Sequence, residues 1–116
     1  MQHQVTGTGR SPNGGTIRLE LHSDQSFQEP HSPFRWEYYA NHKLVEEGWA
    51  EMLRAGNPAN FSLHRRSGGP PWSLFRVKFP LVERSKLTVL AESAFEFSVS
   101  RVIGEDAGAS RAAAAE

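Results

Sequence analysis

Residues 41–58 read NHKLVEEGWAEMLRAGNP. Val45, Trp49, Met52 and Leu53 recur at the spacing of one helical face. Asn41 offers an N-cap, Glu46 and Glu47 follow near the start, and Gly56 with Pro58 supplies a stop. These cues predict one short helix over residues 43–55. Two features favour a hairpin instead. Gly48 in mid-helix costs about 1 kcal/mol, and Asn41-His42 is able to turn strand 34–40 back onto strand 43–51. In that hairpin Glu46 would face Glu37, a like-charge pair that destabilises a sheet. The helix is therefore the expectation and the hairpin its alternative.

Outward from this stretch the signal is period two. Ile17, Leu19 and Leu21 alternate with polar neighbours, as do Phe34, Trp36 and Tyr38, then Phe61 and Leu63. Phe75, Val77 and Phe79 follow, then Leu87 and Val89, and last Phe95, Phe97 and Val99. Breaks rich in Gly, Pro, Ser and Asn separate these runs, which predicts a mainly β fold. The expected form is a small antiparallel β-sandwich or barrel of about six or seven strands with the one helix. Residues 1–15, with Gly7, Gly9, Pro12, Gly14 and Gly15 among polar neighbours, read as a flexible N-terminal arm. Residues 16–103 read as a single β-rich domain and 104–116 as a frayed tail whose alanines are too few to hold a helix.

The 116 residues carry thirteen basic and thirteen acidic side chains, so no global field draws the chain to nucleic acid or to an anionic membrane. With no cysteine there is no disulfide and no thiolate chemistry, and no apolar run is long enough to span a bilayer. The expectation is a cytoplasmic chain with no membrane partner.

Charge is nevertheless segregated. Between Leu63 and Lys86 six cations (Arg65, Arg66, Arg76, Lys78, Arg84 and Lys86) stand against one acid, Glu83. Within that span Arg66–Trp72 reads as a loop between two strands, with Trp72 either folded back onto the core or exposed beside the cations. Arg76 and Lys78 are assigned to the face opposite Phe75, Val77 and Phe79. A surface of Arg65, Arg66, Trp72, Arg76 and Lys78, with Tyr39 as an outlier, is the expected ligand-binding site. Cations beside a stacking ring suit an anionic polymer such as single-stranded nucleic acid, and exposed Tyr39 and Trp72 rings suit a glycan.

Catalytic apparatus is sparse. There is no nucleophile elbow, phosphate loop or dinucleotide fingerprint. His22, Asp24, Glu29 and His31 match no closed metal motif, so neither metal nor cofactor is expected; an enzyme would have to gather His22, Asp24 and His31 around an ion. The expected function is a non-catalytic binding or assembly module. It would act on a protein partner or on a second copy of itself, as a homo-oligomer, through a β-sheet edge and an aromatic/basic face. A carbohydrate-binding β-sandwich and an anionic-polymer binder are the alternatives.

Overall fold

Eight strands, not six or seven, make up the computed structural model of the chain, which describes residues 2–28 and 33–104. They are β1 (His3–Arg10), β2 (Thr16–Ser23), β3 (Phe34–Ala40), β4 (Lys43–Arg54), β5 (Ala59–Arg65), β6 (Trp72–Val77), β7 (Lys86–Leu90) and β8 (Ala94–Ile103). Each pairs antiparallel with the next, and β8 returns to β1, so the sheet closes into a barrel. The mainly β, antiparallel expectation is met. Closure removes the free sheet edges on which edge-strand association depends.

The helix expected over residues 43–55 is absent: these residues form β4, the second arm of the hairpin turned at Asn41-His42. The misleading spacing has a local cause. Two bulges interrupt β4, at Val45 opposite β3 and at Leu53 opposite β5. Each bulge sets consecutive residues on the same side of the strand, so the outward apolar positions fall at Leu44–Val45, Trp49 and Leu53. Steps of four imitate a helical face. The bulge also shifts the register from that expected for the hairpin: Glu37 faces Glu47, while Glu46 faces Tyr38 and turns inward.

The arm expected over residues 1–15 is also mostly strand. β1 pairs with β2 along its whole length and with β8 on its other side, and Val5 is fully buried. Its glycines serve close approach rather than flexibility: a Cβ on Gly9 would stand 2.3 Å from the Glu96 carbonyl oxygen of β8. Of the expected tail only Gly104 lies within the described residues, and Glu29 and His31 lie outside them.

Inward-facing side chains fill the barrel, as an eight-stranded interior of this width allows. Trp36 and Phe97 occupy the middle among Leu19, Leu21, Leu63, Leu74 and Leu87. One end is closed by Phe27, edge-on to Phe34 at 4.9 Å, and by Leu81 from the β6–β7 connection. The other end is closed by Tyr38, which contacts Trp72 at 5.6 Å and Phe95 at 5.8 Å. An apolar interior under a wall bearing Arg18, Glu20, Arg35, Glu37 and Glu47 reverses the arrangement of a lipid-facing barrel. Among the described residues no helix is long and apolar enough to cross a membrane.

Candidate functional site

The six residues expected to share one binding surface are divided among three places. Arg65 and Trp72 stand at the β5–β6 end of the barrel and face inward. Trp72 folds back onto the core, 5.4 Å from Trp36, and the Arg65 guanidinium lies 5.2 Å from its ring. Arg66, at the same hairpin, points outward to Glu47 at 3.5 Å. Arg76 and Lys78 lie at the opposite end of β6. Tyr39 is half-buried on the outer wall beneath Arg18, whose guanidinium is 4.1 Å from the ring centroid.

The faces assigned to β6 also need correction. Phe75 and Arg76 together oppose the single residue Asn60, a bulge in which the Arg76 amide donates to Asn60 Oδ1 at 2.9 Å. Both side chains therefore leave the interior to Leu74 and Val77. Strict alternation cannot register such an insertion and places Phe75 on the wrong side. Arg76, Lys78, Arg84 and Lys86 form no ion pair among the described residues. β7 lies across the barrel from β3, which carries Arg35 and Glu37.

Glu46 is the buried acid of the Trp72 end. Its carboxylate accepts from Ser67 Oγ at 2.6 Å, from the Glu47 and Ser67 amides, and from Arg65 Nε at 3.2 Å. Burial alone raises its pKa, but the bonds from Ser67, Glu47 and Arg65 outweigh burial and hold it below the ordinary carboxylate value. A depressed folded pKa contributes stability that is present above the unfolded value and lost as pH falls through the folded one. Denaturant titrations of wild type and Glu46→Gln should therefore diverge most at neutral pH and converge on acidification. A gap independent of pH would assign the stabilisation to another group.

The most exposed aromatic ring is one that sequence reasoning placed on a helix. Trp49 is 50% exposed and stacks on His64 with centroids 4.0 Å apart, while His64 Nε2 meets Glu51 Oε1 at 2.9 Å. Leu44, Val45 and Leu53, the last 64% exposed, continue an apolar row along the outer face of β4. Glu47 and Glu51 are interleaved with it, Arg35 stands beside Trp49 on β3, and a recess lined by Arg35, Trp49, Phe34, His22 and Asp24 opens at its edge. No family model, curated protein or solved structure matches this chain. The geometry of the wall is thus the ground for a functional reading. The hairpin alternative contained the signal for this site: read as a strand, residues 45–53 place Val45, Trp49 and Leu53 on one side.

Proposed function

We propose that the barrel is a non-catalytic assembly module that associates with a second copy of itself through the outer wall of β3, β4 and β5. The observation that carries this reading is the half-exposed Trp49 at the centre of the apolar row Leu44, Val45 and Leu53. A filled interior leaves the wall as the place where large apolar side chains can still be buried, and closure excludes pairing through an edge. Charge placement supports a copy of the same surface. Arg35 and His64 flank Trp49 on one level, and Arg35 forms no ion pair among the described residues. A two-fold axis along β4 lays β3 of each copy over β5 of the other. It sets Arg35 over the opposing Glu51–His64 pair and Trp49 against Trp49, an isologous contact.

Light scattering over a concentration series tests the reading. Wild type is expected at twice the monomer mass, and Trp49→Lys, a change on the outer wall, should weaken association at least about thirtyfold, the factor for a hot spot of about 2 kcal/mol. Trp49 fluorescence should shift to the blue as the dimer forms, since Trp36 is already buried. A wild type that stays monomeric throughout overturns the proposal. If that monomer's emission also responds to oligosaccharides, the same ring is assigned to a glycan.

A further inference from the structure

We infer that Glu20, His22 and Glu37 form a binding site for a divalent transition-metal ion on the outer wall of the barrel. Glu20 of β2 directly opposes Glu37 of β3, and Glu37 in turn opposes Glu47 of β4, so three carboxylates run side by side across three strands. Like charges at directly opposed positions destabilise a sheet unless something positive lies between them. Arg66 serves Glu47. Between Glu20 and Glu37 the group at hand is an imidazole. His22 follows Glu20 by two residues on the same face, and its Nε2 lies 3.2 Å from Glu20 Oε1 and 3.3 Å from Glu37 Oε1.

The two imidazole–carboxylate separations match those of neighbouring ligands on one ion. Ligand atoms about 2.1 Å from a metal stand about 3.0 Å apart at neighbouring octahedral positions and about 3.4 Å apart in a tetrahedron. One donor atom from each of the three residues lies within 4.8 Å of the others. Glu20 is also held from behind: Arg18 Nε lies 2.8 Å from its Oε2, leaving Oε1 turned toward His22. An outer contact of this kind orients a metal ligand. Tyr39 Oη donates to Glu37 Oε1 itself at 3.3 Å, on the oxygen that faces His22. The three side chains are between 14% and 20% exposed, sheltered yet open to solvent, so water would complete the coordination.

One imidazole with two carboxylates, in a chain without cysteine, suits Zn2+, Co2+ or Mn2+. It does not suit Cu+, which favours sulfur, or Mg2+ and Ca2+, which favour oxygen alone.

The test uses tag-free protein dialysed against ZnCl2 or MnCl2, with retained metal measured by mass spectrometry and affinity by calorimetry. About one ion per chain is expected, with the melting temperature of wild type raised by the ion. Glu37→Gln and His22→Gln should each lower affinity about tenfold or more, while His42→Asn, which removes an exposed imidazole at the β3–β4 turn, should bind as wild type does. With Co2+ as the probe, a visible absorption band should appear in wild type and His42→Asn and be lost in Glu37→Gln. A wild type that retains no ion, or retention unchanged in both Glu37→Gln and His22→Gln, overturns the inference, as does loss of the ion in His42→Asn.

Discussion

Gly48→Ala is expected to destabilise the barrel by about 3 kcal/mol, the upper part of the usual range for overpacking a filled interior. The β-carbon would stand 1.8 Å from the His64 carbonyl oxygen and 3.2 Å from Trp36 Nε1, so β4 could not keep its approach to β5. The sign of the effect also separates the two readings of residues 41–58. In a helix, alanine in place of glycine would stabilise by about 1 kcal/mol. In β4 it must move backbone. Equilibrium unfolding in guanidinium decides between them, and a gain in stability would be incompatible with the register of β4 against β5.

Trp36→Ala should cost about 4 kcal/mol, within the range for emptying a large buried aromatic site, and lower the melting temperature by about 20 °C for a chain of this size. Trp36 is fully buried beneath Gly48, and its indole N–H donates to the Trp49 and His64 carbonyls at 3.2 and 3.1 Å. One side chain thereby fixes the interior to the pair of strands that carries the exposed wall. Trp36→Phe retains most of the ring and removes the donor, so its cost should be nearer the 1–3 kcal/mol of unpaired carbonyls. Because Gly48 and Trp36 meet, the double variant Gly48→Ala/Trp36→Phe should be less destabilised than the sum of the two. Strict additivity in the same guanidinium titrations would separate the two sites.

What could be read in the sequence follows from where alternation is unbroken. β2, β3, β7 and most of β8 keep period two, and Ile17, Leu19, Leu21, Trp36, Leu87 and Phe97 face inward as expected. Readings failed where a bulge adds a residue. In β4 bulges produced a helical spacing, and in β6 a bulge reversed Phe75. β1 was missed for another reason. Its glycines resemble those of a mobile segment, and their use became visible only with β8 alongside, since the close contact of Gly9 with Glu96 joins positions far apart in the chain. The Glu20–His22–Glu37 cluster was not legible as a site: His22 was weighed beside Asp24, Glu29 and His31 and no metal was expected, because Glu20 and Glu37 come together with it only through the β2–β3 register. Arg65 and Trp72 were named for charge and aromaticity, and both are engaged inside the barrel end, with Glu46 as the partner that sequence spacing did not suggest.

The seam between β1 and β8 has a kinetic consequence. Thr6 and Ser100 touch across 94 positions of chain, so seven strands must wait, as an open and curling ribbon, for the eighth. Folding limited by so distant an encounter is slow for the chain's length, and until it occurs both borders of the ribbon are available to other nascent copies.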